Sequence, residues 1–162
     1  MAVKIVNQIL SKSFVSTSIS DKGLLRHAVK ALRFSYSPYS KFKVGAAVLQ
    51  SNGAIILGAN IENASYPLCL CAERTALAHA HMQSPSIKIQ AIAIVCKSAS
   101  QILSEPGYPC GACRQVISEF ESKQKSPIKI IVGNVSMKNI QSFDSINFLL
   151  PYSFNGSFLK ES

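Results

Sequence analysis

Val44-Gly45-Ala46-Ala47-Val48-Leu49-Gln50-Ser51-Asn52-Gly53-Ala54-Ile55-Ile56-Leu57-Gly58-Ala59-Asn60 is a pair of apolar runs set about one polar break. Asn-Gly favours a tight hairpin turn, because both residues tolerate the left-handed backbone such turns require. The stretch therefore predicts strands over 44–50 and 54–60, paired antiparallel. On its N-terminal side, Leu24, Leu25, Ala28, Val29, Ala31 and Leu32 recur with helical period behind Ser20 or Asp21 as a cap. Pro38 forces the chain out of that helix. On the C-terminal side, 72–82 is rich in helix formers, and 87–96 is a nearly continuous apolar run suited to a strand buried on both faces. Another helix is expected over 111–122, another buried strand over 128–132 and an edge strand over 137–143. Strands alternating with helices after an opening hairpin predict an α/β fold, a three-layer α/β/α sandwich. No internal repeat or linker-like segment interrupts 21–162, which are expected to form one domain behind an N-terminal arm, 1–20.

Bulk properties narrow the class. A chain of 162 residues can bury roughly two-thirds of its unfolded surface. With 48% hydrophobic and only 15% charged residues, disorder is excluded and a large core or a buried subunit interface is expected. No apolar run approaches the ~20 residues that span a membrane. The first twenty residues hold Lys4, Lys12, five serines and no acid, a composition shared with organelle transit peptides. Val3-Lys4-Ile5-Val6 favours a strand-like arm instead. The net charge of +9 raises a nucleic-acid partner, but Arg26, Lys30 and Arg33 recur at helical spacing opposite the apolar residues, as a solvated face would. Nucleic acid is therefore not the expected partner.

Chemistry concentrates in Cys71-Ala72-Glu73 and Pro109-Cys110-Gly111-Ala112-Cys113. Three thiols and a carboxylate at this spacing describe one zinc ion per chain, with its acid/base beside it. Three protein ligands leave one tetrahedral corner open, the mark of a catalytic rather than a structural site. A carboxylate two residues from a ligand can move protons for an attacking water. A ligand, one residue and Glu ahead of Pro-Cys-x-x-Cys is the general signature of zinc deaminases of cytosine and adenine. Cys71 and Cys110 would each begin a helix, where the dipole favours thiolate. Cys113 returns to the same side about one turn after Cys110. Three thiolates on one divalent cation leave a formal charge of −1, so Arg74 is a candidate to offset it. Five cysteines, three of them needed as free thiolates, point to a reducing cytoplasm. Cys69 could add a fourth sulfur and close the site as a structural one, although its one-residue spacing from Cys71 is unlike structural knuckles. Cys96, ending a buried strand, reads as a small core hydrophobe. His27, His79 and His81 lack ligand spacing.

The chain resembles the small cytidine deaminases that act on free nucleosides. The resemblance rests on Tyr36-Ser37-Pro38-Tyr39-Ser40-Lys41-Phe42-Lys43-Val44-Gly45-Ala46-Ala47, Asn60-Ile61-Glu62-Asn63-Ala64-Ser65-Tyr66, Cys71-Ala72-Glu73-Arg74-Thr75-Ala76-Leu77, Pro109-Cys110-Gly111-Ala112-Cys113-Arg114-Gln115, and Leu149-Leu150-Pro151 followed by Phe154. It runs in order from about position 20 to the C-terminus. It implies a mixed five-stranded sheet and hydrolytic deamination of cytidine and deoxycytidine in pyrimidine salvage. Glu73 is then the proton carrier, Cys71, Cys110 and Cys113 the zinc ligands, and Arg74 a contact to ligand sulfurs. Phe42 would pack on the pyrimidine, Asn60 and Glu62 would hydrogen-bond the ribose hydroxyls, and the Ala72 amide would meet the base edge. Tyr66 would sit near the sugar or a subunit contact. Phe154 would close over the substrate of a neighbouring subunit in a homotetramer. Tyr108 departs from the usual Ser or Thr, and its backbone carbonyl would face the leaving amino group.

Two other readings stay open at this point. A zinc-stabilised nucleic-acid-binding module would explain the charge and the cysteines but leave Glu73 idle. A polynucleotide cytosine deaminase would explain both, but needs an open strand groove that a covering Phe154 would obstruct.

Overall fold

The structure is a computed structural model and describes residues 19–159; the expected strand at Val3-Lys4-Ile5-Val6 lies outside the described residues. Helix α1, Asp21–Ala31, starts at Ser20, whose hydroxyl accepts the Gly23 amide at 3.1 Å. Asp21 in its first turn and Lys30 in its last suit the helix dipole. The helix buries Leu24, Leu25, Ala28 and Ala31 and leaves Arg26 and Lys30 exposed, with Arg33 exposed in the turn that follows, as the spacing predicts. A 3₁₀ turn, Leu32–Phe34, ends it ahead of Pro38.

Strands β1, Phe42–Gln50, and β2, Ile55–Ala59, form the expected antiparallel hairpin. The connection is a four-residue loop, 51–54, in which Gly53 takes φ +85° and donates its amide to the Gln50 carbonyl at 2.9 Å. Asn52 supports it by accepting the Ala54 amide at 3.0 Å. Helix α2, Ala72–Gln83, strand β3, Ile89–Ser98, helix α3, Gly111–Gln124, and strand β4, Lys129–Asn134, follow in turn. The edge strand expected over 137–143 is β5, Ile140–Phe143. It starts late because Met137 sits in a left-handed turn (φ 55°), its amide bonded to the Asn134 carbonyl.

The sheet order is β2-β1-β3-β4-β5. β3 and β4 run parallel, which requires a crossover, and α3 supplies it; the other three neighbouring pairs are antiparallel. Strand alternation divides the apolar side chains between two cores. Ala46, Val48, Ile92, Ile94, Ile130 and Val132 pack with Ala76, Leu77 and Ile117 from α2 and α3. Ala47, Ala93, Val95 and Ile131 pack on the other face with Leu24, Leu25 and Ala28 of α1. Two cores about one sheet make the three layers, and each large aliphatic chain so buried contributes about 1.5–3 kcal/mol relative to exposure.

Two glycines set the helices close. A Cβ on Gly45 would lie 2.2 Å from the Ala28 carbonyl oxygen of α1, and one on Gly58 2.3 Å from the Ala76 nitrogen of α2. Both helices therefore rest on bare strand backbone. No helix among the described residues is long and apolar enough to cross a membrane.

Candidate active site

The second helix layer brings its two N-termini together at one end of the sheet. Cys71 is the N-cap of α2 and Cys110 the N-cap of α3, both in extended backbone. The Thr75 hydroxyl shares its one proton between the Ala59 carbonyl at 3.0 Å and the Ala72 carbonyl at 2.8 Å, tying the first turn of α2 to the end of β2. Arg114 fastens α3: its Nε donates to the Pro109 carbonyl at 2.8 Å and its Nη1 to the Leu149 carbonyl at 2.9 Å. Arg114 thus joins the cysteine-bearing turn to the Leu-Leu-Pro segment. Sequence matching marks that residue, but only a contact across 35 positions gives it this role.

The Sγ atoms of Cys71, Cys110 and Cys113 lie within 4.8 Å of one another, and Cys71 and Cys110 are 3.9 Å apart. Tetrahedral zinc with Zn–S near 2.3 Å requires sulfurs about 3.8 Å apart, so the set fits this ion. Electrostatics agree. Hydrogen bonding from Cys113, then from Cys110, and the charge of Arg74 hold the Cys71 thiol down to about 6, against its burial. Cys113 moves the other way, raised by its hydrogen bond with Cys71 and by burial. Cys71 and Cys113 are driven in opposite directions by their shared hydrogen bond, and a divalent cation removes that conflict. The cluster accordingly fits one Zn²⁺ per chain. Cys69 stands apart, its sulfur accepting the Asn63 amide at 3.2 Å.

Glu73, on the first turn of α2, is only 4% exposed, and burial raises its carboxyl above the usual range, with the Cys71 thiolate adding to the effect. It faces a cleft of about 490 Å³ whose wall includes Cys71, Cys110, Phe42, Asn60, Glu62 and Tyr66. The cleft is thus shared by the expected metal end and the expected sugar end. Its size and mostly apolar lining, with few polar groups, suit a small ligand.

Polar detail is densest at the expected sugar end. Asn60 Oδ1 accepts the Val44 amide at 2.8 Å and the Ser35 hydroxyl at 2.6 Å, and its Nδ2 donates to the Phe42 carbonyl at 2.9 Å. Glu62, half-buried, has the partners a carboxylate there demands. Its Oε2 accepts the Tyr39 amide at 2.9 Å and the Ser40 amide at 3.3 Å, while Oε1 accepts the Ser40 hydroxyl. The Ser40 hydroxyl first, and then the two amides and Lys41, hold the Glu62 carboxyl below its ordinary value. Tyr66 is 68% exposed at the cleft mouth, edge-on to Tyr39 with centroids 6.0 Å apart.

Ala72 is buried beneath the cleft wall between Cys71 and Glu73. Arg74 hydrogen-bonds to none of the described residues and acts on Cys71 and Glu73 through charge. Phe154 is outside this cleft, stacked on Phe158 at 5.7 Å, with its carbonyl accepting Gln115 Nε2 at 2.7 Å. Cys96 is not only core: β3 continues past it to Ser98, and it lines the cleft with Gly107. Burial pushes the Cys96 thiol up to about 12, so it presents a neutral wall. A Cβ on Gly107 would lie 2.4 Å from the Cys96 sulfur, which fixes how closely the loop before α3 can pass. The Tyr108 ring also lines the cleft, its hydroxyl donating to Gln141 Oε1 at 2.6 Å.

Comparison with known proteins places this geometry. The family model for the cytidine and deoxycytidylate deaminase zinc-binding region matches residues 18–127. The cytidine deaminase of Halalkalibacterium halodurans is 43% identical over 131 residues, 81% of this chain and 91% of that protein. That of Mycoplasma pneumoniae is 35% identical over 129 residues, covering 80% and 86%. Among solved structures, the cytidine deaminase of Burkholderia pseudomallei superposes with a TM-score of 0.72 at 38% identity, over 83% of this chain and 99% of that one. The Mycobacterium leprae enzyme gives 0.60 at 33% identity, over 80% and 96%. With the three cysteines, the adjoining buried Glu73 and the five-stranded sheet in place, the chain belongs to the cytidine and deoxycytidylate deaminase family.

Proposed function

We propose that this protein hydrolytically deaminates cytidine and deoxycytidine to uridine and deoxyuridine, releasing ammonia, in pyrimidine salvage in a reducing cytoplasm. The supporting observation is a buried acid, Glu73, 4% exposed beside a three-thiol zinc site and facing a nucleoside-sized cleft. Residues 21–162 would form the catalytic domain.

Cys71, Cys110 and Cys113 hold the ion, which when bound supplies the Lewis acidity that makes water nucleophilic near neutral pH. Glu73 accepts a proton from the water attacking C4 and delivers it to N3. It then passes the water's second proton to the exocyclic amino group, which departs as ammonia. Water enters, ammonia leaves, and no electrons are exchanged with a cofactor. The raised carboxyl brings Glu73 closer to the working pH, where a group that must both take and give protons is most effective. Positioned proton transfer of this kind contributes about 10²–10⁴-fold. Arg74 offsets the surplus negative charge of the thiolates.

Hydrogen-bond capacity supports the sugar assignment. Asn60 has both carbonyl lone pairs engaged but one N–H left, while Glu62 Oε1 can accept one further bond beyond Ser40. One donor and one acceptor lining the same cleft suit a ribose diol. Phe42 packs on the pyrimidine, the Ala72 amide meets the base edge, and the Tyr108 carbonyl receives the leaving amino group. Tyr66 lies at the sugar or at a subunit contact. Phe154, exposed at 58% and outside its own cleft, serves a neighbour's site in a homotetramer. Phe34, Leu68 and Met82 are likewise exposed and apolar, as surface awaiting a subunit would be.

Ammonia release from free cytidine, measured with bound zinc per chain, tests the activity. Turnover should vanish on chelation and return with Zn²⁺; metal-loaded protein without turnover refutes it. Mixing exchangeable, separately inactive Glu73→Ala and Phe154→Ala chains should restore some activity. A fully active monomer would end the shared-site reading.

A further inference from the structure

Between the wall that would hold the base and the carboxylate that would hold the sugar stands a residue with no assigned part, Ser40. Its hydroxyl has one proton and two lone pairs. The proton goes to Glu62 Oε1, and one lone pair accepts the Phe42 amide at 3.0 Å. Its own amide donates to Glu62 Oε2 at 3.3 Å. The next residue, Lys41, takes φ 56° in the left-handed region, which a non-glycine residue adopts at a cost. That conformation turns the chain from the amides facing Glu62 into the start of β1 at Phe42. The strained turn is tied down by the Lys41 amide donating to the Ser37 carbonyl at 3.2 Å.

We infer that Ser40 is a positioning residue that fixes Glu62 relative to Phe42, so that sugar and base are gripped in one register. The inference rests on the nucleoside reading of the cleft. The Ser40 side chain is exposed at the rim and contributes little to the core, so its two hydrogen bonds are costly ones to lose only if they orient other groups. Without the hydroxyl, Glu62 keeps the Tyr39 and Ser40 amides but loses the donor on the oxygen facing the diol. It can then swing, and the ordering it loses must be supplied at each binding event. Phe42 also loses the acceptor that holds its amide at the first residue of the strand. Asn60, which accepts from Val44 and donates to the Phe42 carbonyl, fixes the opposite side of the same wall. Ser40 and Asn60 therefore hold Phe42 from its two backbone polar groups, and among the described residues Ser40 links that wall to Glu62.

The test compares zinc-loaded wild type, Ser40→Ala and Ser40→Thr on cytidine and on 2′,3′-dideoxycytidine, which lacks both hydroxyls that Glu62 and Asn60 would read. Ser40→Ala should raise KM for cytidine about tenfold with kcat within about threefold, the loss of one hydrogen bond to a charged group. On the dideoxy substrate KM should change less than about threefold. Ser40→Thr, which keeps the hydroxyl, should restore cytidine KM. An equal loss on both substrates accompanied by a lower Tm would make Ser40 merely structural, and an unchanged cytidine KM would overturn the inference outright. Calorimetric binding of uridine separates this from the deaminase reading. A wild type that binds uridine tighter than Ser40→Ala while failing to turn over cytidine would refute deamination and leave the positioning intact.

Discussion

The two ends of the cleft are built on different principles. At the metal end, Cys71, Glu73, Cys110 and Cys113 stand on the first turns of two long helices, and Glu73 and Cys113 are buried. At the proposed sugar end, Ser40, Asn60 and Glu62 stand on loops near the surface, held by hydrogen bonds to neighbouring backbone, and Tyr66 opens a 3₁₀ turn, Tyr66–Leu68. Chemistry needs groups fixed to fractions of an ångström in a dry setting, and helices seated on strand backbone provide that. Recognition needs access for an incoming nucleoside, so it is left on connections whose polar groups are pre-bonded and partly wet. The contrast predicts that damage at one end appears in kcat and at the other in KM.

The largest effect should come from Glu73→Gln. Zinc content should remain one per chain and KM should move little, while kcat falls by about 10²–10⁴-fold or more, since the amide cannot carry the proton. Near-normal turnover in metal-loaded protein would remove Glu73 from its role. Glu62→Gln should do the opposite. With the acceptor-only carboxylate replaced, one side presents an N–H to the donors of Tyr39 and Ser40, and KM for cytidine should rise about 10–100-fold with kcat nearly kept. A kcat-only loss there would erase the division between the two ends.

A change outside the cleft sharpens the same comparison. Gly58→Ala would put a methyl 2.3 Å from the Ala76 nitrogen and 2.6 Å from the Ala72 carbonyl, both backbone of α2. The helix must back away, at about 1–3 kcal/mol by the usual cost of overpacking. Because α2 carries Cys71 and Glu73, the lower Tm should be accompanied by weaker zinc retention under mild chelation, with KM hardly altered. Loss of stability with unchanged metal affinity would show that the metal end is not held by this seat.

Legibility in the sequence followed the range of the contacts. The hairpin, α1 and the three-cysteine cluster are local patterns: Asn52-Gly53, a 3.6-residue apolar period, and a ligand motif at two helix starts. Each was readable without knowing where the rest of the chain goes. Arg114 reaching Leu149, Asn134 donating to the Ser104 carbonyl, and Gly107 passing over Cys96 join residues far apart in sequence. Nothing local marks them. Gly45 and Gly58 show the same limit, since a glycine in a strand announces a close approach without saying which helix comes near. Ser40 was visible within a motif, but which of its neighbours it bonds depends on the loop that brings Glu62 back to it, 22 positions later.

Cys69 lies on the border between the two ends, and its replacement should have the smallest effect. It is two positions from a zinc ligand and also lines the cleft, so sequence alone leaves a fourth sulfur open. Its sulfur instead accepts the Asn63 amide at 3.2 Å, and the thiol donates back to the Asn63 carbonyl at 3.7 Å, bracing the loop between Glu62 and α2. A serine hydroxyl can make both bonds, though with a shorter reach. Cys69→Ser should therefore keep one zinc per chain, leave kcat unchanged and alter KM by less than about twofold. Zinc analysis with cytidine kinetics decides it. Loss of the metal would mean that four sulfurs close the site, leaving no open position for water and ending the catalytic reading. A moderate rise in KM with zinc retained would instead assign Cys69 to the sugar end.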